Sequence, residues 1–291
     1  MAMQAVEGRT VMITGGANGL GFGMAEAFLA AGARVAIADR DAQGLARARA
    51  DLASAGEALF TQVLDVADYD AWQSAFESVQ SALGPIDILC NNAGVACGTT
   101  ALDMVRIEDW RWGFSINVDG VFFGCKTFVQ HARASRRGGH IVNTASLAAV
   151  FPAVNAGCYS PTKFAVLGIS QQLLRELAPI GIGVSVLCPG AIATGITDRS
   201  RGHQPSLRAD PAAEAAREEI GQYLSAFGAR PRKLGEYVIK CILRGDFYII
   251  THPEWRPLVQ QQVDMLLGAL REPADPERPE DVAALLQAVS G

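Results

Sequence analysis

Short runs of β-branched and aliphatic residues alternate along this chain with longer stretches whose apolar positions recur every three or four residues. Runs at 10–14 (TVMIT), 34–38 (RVAIA), 58–64, 86–90, 140–145 (HIVNTA) and 183–188 (GVSVLC) predict strands. Helical periodicity near 19–31, 41–55, 70–82, 103–133 and 157–179 fills the intervals. This alternation predicts an α/β fold, a mostly parallel sheet with helices on both faces, made doubly wound by right-handed crossovers. A later apolar run at 247–251 (FYIIT) predicts an added edge strand.

The pattern breaks once. From Gly195 to about Ala212 the chain reads ITDRSRGHQPSLRADP, polar and without a steady period. A loop of that length inside a compact domain is usually functional. Helical patterns resume near 213–226, 231–244 and 254–271, and after a proline-rich acidic stretch at 272–278 a short helix is expected at 279–289. The organisation expected is one domain over 1–291, with a substrate loop and helices at about 195–245 and a helical extension at about 253–291.

Composition narrows the function classes. The 291 residues are 49% hydrophobic, enough to bury a large core, and carry a net charge of −5. An acidic chain with scattered basic residues offers no field for nucleic acid. The six cysteines form no C-x-x-C pair and sit mostly in apolar stretches, as reduced core thiols do. With four scattered histidines, no metal site is expected. No apolar run reaches membrane-spanning length, and the first residues show no leader pattern. The expectation is a soluble cytoplasmic protein with no membrane partner.

Candidate chemistry clusters at the ends of the predicted strands. The first runs into TGGANGLG, where Gly15, Gly19 and Gly21 form a turn opening a helix, with Asn18 and Leu20 between them. Glycines there let backbone approach a pyrophosphate, and the helix N-terminus favours its charge. The alternative is an ordinary tight turn. Asp39 ends the second strand, where a carboxylate can accept hydrogen bonds from an adenosine ribose diol. It would repel a 2′-phosphate by roughly 3 kcal/mol per charge pair at about 5 Å and an effective dielectric near 20. That favours NAD over NADP, although Arg40 follows and can meet a phosphate; the alternative role for Asp39 is capping the next helix. Asp65 and Val66 follow the third strand, where adenine is expected. Asn91, Ala93 and Gly94 (NNAG) close the fourth. Tyr159 and Lys163 stand four apart, on one face of a helix, with Ser146 upstream. An ammonium favours a phenolate, but lowering a tyrosine pKa from about 10 to about 7 takes roughly 4 kcal/mol, more than one surface lysine supplies.

Taken together, these residues resemble the short-chain dehydrogenase/reductase family, in its order, over about residues 8–195. The matching positions are TGGANGLG, Asp39, Asp65-Val66, NNAG, Asn117, Ser146, Tyr159-x-x-x-Lys163 and Pro189-Gly190. The resemblance implies a Rossmann-type domain, a nicotinamide cofactor and a homodimer or homotetramer. It implies Tyr159 as acid/base, Ser146 on the reacting oxygen, Lys163 on the nicotinamide ribose and lowering the Tyr159 pKa, and Asn117 holding a relay water. It also implies that Pro189, Gly190, Ile192 and Thr194 line the nicotinamide. The stretch FYIITHPE further resembles a bacterial subgroup acting on alcohols and ketones, some of whose members oxidise bulky aromatic alcohols. One departure is Pro161 between Tyr159 and Lys163. Proline is tolerated only in a helix's opening turn, so this helix is expected to start near 157–159.

The substrate pocket is expected from 95–100, 147–158 and the loop after Thr194. The middle stretch, LAAVFPAVNAGC, is largely apolar, with Phe151 and Val154 as walls and Asn155 as a polar contact. Arg199, Arg201 and His203 are weaker candidates for meeting an anion. Trp110 and Trp112, two apart on the long helix, cannot share a face. The expected function is NAD-dependent interconversion of a hydrophobic secondary alcohol and its ketone. The alternatives are an NADPH-linked carbonyl reductase and a non-catalytic nucleotide-binding scaffold.

Overall fold

The computed structural model describes residues 3–97, 99–196, 200 and 211–271. The short helix expected at 279–289, and Arg199, Arg201 and His203, lie outside the described residues. By internal packing the chain forms two compact units, Met1–Pro253 and Glu254–Gly291.

The first unit holds a parallel sheet of seven strands: β1 (Thr10–Thr14), β2 (Arg34–Asp39), β3 (Leu59–Val63), β4 (Ile88–Asn91), β5 (Gly139–Thr144), β6 (Ile182–Cys188) and β7 (Tyr248–Ile250). The spatial order is β3-β2-β1-β4-β5-β6-β7, every pair parallel. The doubly wound architecture is therefore present, and the order reverses between β1 and β4, where such sheets open a crevice at their carboxyl ends. The helices of this unit are α1 (Gly19–Ala30), α2 (Ala42–Asp51), α3 (Tyr69–Leu83), α4 (Ile107–Phe114), α5 (Gly120–Ser135), α6 (Tyr159–Leu177), α7 (Pro211–Phe227) and α8 (Pro231–Arg244). The second unit contains α9 (Arg256–Ala269).

Side chains alternate across each strand. Val11 and Ile13 join Met24 and Phe28 of α1 and Val238 and Ile242 of α8 in one core, while Met12 between them points to the opposite face. The α1–α8 crossing is close because Gly23 and Gly235 meet there. A Cβ on Gly23 would stand 2.4 Å from the backbone of Pro231, and one on Gly235 2.7 Å from the Gly23 carbonyl.

The long helix expected at 103–133 is divided. A single π turn, Ser115–Asp119, separates α4 from α5 and contains Asn117. Such bulges are rare and concentrate at functional sites. Trp110 is stacked on Phe114, with ring centroids 4.4 Å apart. Helix α6 begins at Tyr159, so Pro161 occupies its first turn, where no N–H is needed.

Candidate active site

A cavity of about 1170 Å³ opens at the carboxyl ends of the strands. One wall comes from the turns after β1, β2 and β3: Gly15, Asn18, Gly19, Leu20, Asp39, Arg40, Asp65 and Val66. Ala93 and Gly94 after β4 line its middle. Ser146, Tyr159, Lys163, Pro189, Gly190, Ile192 and Thr194 surround its inner end. Three expected site residues stand behind the wall. Gly21 packs under the first turn, Asn91 is buried beneath Gly124, and Asn117 sits behind Gly94.

The glycine turn is built for close approach. Gly15 and Gly19 both have φ in the left-handed region, 64° and 54°. A Cβ on Gly15 would lie 2.8 Å from the Cα of Ala93, and one on Gly21 2.3 Å from the Gly15 carbonyl. Asn18 occupies the N-cap position of α1 without a side-chain capping bond. At the end of β2, Asp39 does not cap α2. Asp41 does, accepting from Gly44 N at 2.9 Å. Asp39 is oriented by two backbone donors, Ala17 N at 3.3 Å and Asp41 N at 3.1 Å. Asp65 accepts from Ala67 N at 3.0 Å.

Asn91 donates to Asn143 Oδ1 at 2.9 Å and to Cys125 Sγ at 3.3 Å, so it braces β4 against β5 and α5. Asn117 is fully buried. Its Oδ1 accepts from Val95 N at 2.8 Å, and its Nδ2 donates to Val95 O at 3.0 Å and Thr162 Oγ1 at 3.1 Å. Both ends of its amide are thus engaged in clamping the loop after β4.

At the inner end, Ser146 accepts from Ala148 N at 3.1 Å through Oγ. Lys163 is buried and its Nζ donates to Thr144 O at 3.0 Å, 5.5 Å from the centroid of the Tyr159 ring. Burial pushes the Tyr159 phenol up to about 12; a hydrogen bond with Ser146 pulls the other way. The Tyr159 side chain is partly open to the cavity, so water there tempers the rise. Burial pushes the Lys163 ammonium down to about 8. Desolvation penalises both charged forms, so it raises the phenol and lowers the ammonium.

The cavity fits an extended dinucleotide. The glycine turn leaves room where any side chain would collide, and Asp39 lies at one end with Lys163 at the other. Thr144 lines the cavity, and its buried Oγ1 meets no hydrogen-bond partner among the described residues.

The outer part of the cavity is mostly apolar: Val95, Ala96, Ala153, Val154, Ile196, Ile220 and Leu224, with Thr99, Asn155 and Ser200 as polar members. Phe151 does not line it. Ile220 and Leu224 belong to α7, so the region beyond the polar stretch supplies part of the wall. Three contributors escaped sequence reasoning. Thr14 Oγ1 accepts from Asn92 N and Ala93 N, both at 3.0 Å, tying the first turn to the loop after β4. Thr162 joins Asn117, and His252 lies against Gly190. Thr14 opens the TGGANGLG motif and His252 lies inside FYIITHPE, but neither spacing reveals the partner.

A family model described as short chain dehydrogenase matches residues 9–205. The chain is 31% identical over 278 residues to C alpha-dehydrogenase of Sphingobium sp. strain SYK-6, covering 94% of this chain and 91% of that protein. It is 32% identical over 201 residues to 3beta-hydroxysteroid dehydrogenase 2 of Eggerthella lenta, covering 69% and 76% respectively. A short chain dehydrogenase/reductase from Burkholderia phymatum, solved in complex with NAD, superposes with a TM-score of 0.83 at 29% identity, covering 95% of this chain and 100% of that one.

Proposed function

We propose, from the premise that this chain belongs to the short-chain dehydrogenase family, that it interconverts a hydrophobic secondary alcohol and its ketone with NAD. Family membership makes it an oxidoreductase acting on alcohols or ketones with a nicotinamide cofactor. The finer reading is carried by one observation: Ser146, Tyr159 and Lys163 share a cavity whose outer wall is apolar and whose far end presents Asp39.

In this reading Tyr159 Oη takes the hydroxyl proton of the alcohol, or returns it to the ketone. Ser146 Oγ donates to the reacting oxygen and stabilises its developing charge. Lys163, anchored on Thr144 O, holds the ribose hydroxyls next to Tyr159. When bound, the oxidised nicotinamide supplies a hydride acceptor and a positive charge close to the phenol. Asp39 holds the adenosine ribose diol and disfavours a 2′-phosphate. The apolar wall, with Ile220 and Leu224 of α7, excludes water and suits an aromatic or alicyclic substrate. The named relatives, a C alpha-dehydrogenase and a hydroxysteroid dehydrogenase, and the NAD complex of a structural neighbour are in keeping with this reading. No helix among the described residues is long and apolar enough to cross a membrane. A homo-oligomer joined through α5 and α6 is part of the proposal, supported by the exposed Phe122 and Phe164.

The test is a panel of aromatic, alicyclic and short aliphatic secondary alcohols with NAD and with NADP, read by absorbance of the reduced cofactor. Tyr159→Phe should abolish turnover and retain NADH binding. Near-normal turnover in that variant would sink the mechanism. Arg40, exposed at the rim next to Asp39, favours the second reading of an NADPH-linked reductase, which a clear preference for NADP would select.

A further inference from the structure

The peptide joining Pro189 to Gly190 is held at both ends. Its carbonyl accepts from Leu147 N at 2.9 Å, next to Ser146. Its N–H, on Gly190, points the other way, toward the segment that follows β7. There it meets Thr251 Oγ1 at 3.1 Å and His252 Nδ1 at 3.2 Å, and those two atoms are 2.6 Å apart. The Gly190 N–H can only donate, and it is shared between these two acceptors. Thr251 Oγ1 and His252 Nδ1 are themselves in hydrogen-bond contact, which ties the two acceptors together. The contact is also steric: a Cβ on Gly190 would lie 2.7 Å from both Cγ and Nδ1 of His252. The imidazole therefore backs the Gly190 backbone directly, and the residue there has to be glycine. The arrangement depends on β7 pairing with β6 through Leu187 and Cys188, which brings residues 251 and 252 alongside the turn after β6.

We propose that His252 is a positioning residue for the nicotinamide end of the cofactor site. It fixes the plane of the Pro189–Gly190 peptide and with it the cavity surface formed by Pro189, Gly190 and Ile192. This rests on the reading that those residues line the nicotinamide. A lost or misplaced imidazole removes one of the two acceptors of the Gly190 N–H and the ring packed against its Cα, and lets the peptide rotate toward the cavity. The consequence falls on the nicotinamide half of the cofactor, because the adenosine half is held by the turns after β1 and β2.

The experiment compares NADH with ADP-ribose, which lacks the nicotinamide, as ligands of the full chain. Binding is followed by NADH fluorescence and by calorimetry, and thermal unfolding without ligand controls for folding. His252→Gln and His252→Asn are matched probes: an asparagine side-chain oxygen reaches the Nδ1 position, whereas glutamine extends to the Nε2 position and misses it. His252→Gln should weaken NADH binding about three- to tenfold, the range expected for one lost hydrogen bond, with ADP-ribose affinity unchanged within about twofold. His252→Asn should recover most of the NADH affinity. Thr251→Val, which keeps the imidazole, gives a second route and should weaken NADH binding more than ADP-ribose binding. Equal NADH affinity in the glutamine variant and the wild type would overturn the proposal. So would parallel losses for NADH and ADP-ribose, which would make His252 a general structural residue. A wild-type protein that binds neither ligand would instead overturn the cofactor reading itself.

Discussion

Replacing Asn117 with alanine separates two roles for a residue to which the family resemblance assigns a relay water. In the structure its amide is occupied by Val95 N, Val95 O and Thr162 Oγ1, at 2.8, 3.0 and 3.1 Å. Alanine removes all three bonds. Each is worth about 1 kcal/mol net, rising to about 3 where the partner is left dry. Val95 is only partly buried and borders the cavity, so water can reach its freed groups and the total falls near the lower limit, about 3 kcal/mol. At about 2–4 °C per kcal/mol for a chain of this size class, thermal unfolding should drop by roughly 6–12 °C. The loop after β4 should loosen with it, raising KM for cofactor. Thr162→Val, which loses the acceptor for Asn117, should be strongly non-additive with Asn117→Ala in a double-mutant cycle. Calorimetry and cofactor titration read both effects. An alanine variant that melts within about 2 °C of wild type while kcat collapses would refute the clamp.

Other perturbations follow from the same geometry. Gly21→Ala places a Cβ 2.3 Å from the Gly15 carbonyl and 2.6 Å from Asn92 Nδ2, so the first turn must shift. Overpacking of about 1–3 kcal/mol should cost roughly tenfold or more in NADH affinity while the circular dichroism spectrum is kept; undiminished binding would contradict it. Asp39→Ser removes the charge that opposes a 2′-phosphate and should shift the NAD-to-NADP ratio of kcat/KM toward NADP by up to about a hundredfold. An unchanged ratio would show that Asp39 does not face the ribose. His140 is buried with Nε2 2.8 Å from Ser185 Oγ, whose own proton goes to Asp246 O, and burial pushes its pKa down from 6.5 to about 4. A depressed pKa means its contribution is fully present above 6.5 and is lost as pH falls toward 4, up to about 3 kcal/mol. His140→Gln should flatten denaturant midpoints across that window, and an equally steep acid limb would count against the assignment.

Much of this protein was legible in the sequence because its information is local and periodic. The β-branched runs placed all seven strands within two residues, since burial on both faces of the central strands leaves mostly apolar choices there. Pro161 fixed the start of α6, because proline has no N–H and fits only the opening turn. The glycine turn, Asp39, Ser146, Tyr159 and Lys163 were readable as residue types demanded by chemistry, and the parallel sheet brings them to one cavity. Other features depend on contacts across large sequence separations. Nothing in the residues around Asn117 says that its amide is occupied by Val95 and Thr162, nor that the long helix opens into a π turn at that point. The capping role fell to Asp41 rather than Asp39 because the backbone at the end of β2 aims Asp39 at Ala17. Desolvation of Tyr159 and Lys163 is a property of the walls around them, so the direction of both pKa shifts waited for the fold. The sequence by itself determined which groups are present and which strand ends carry them. Only the tertiary structure decided which of those groups face the cavity and which are spent holding it open, because a hydrogen bond between residues 22 or 62 positions apart leaves no periodic trace in either segment.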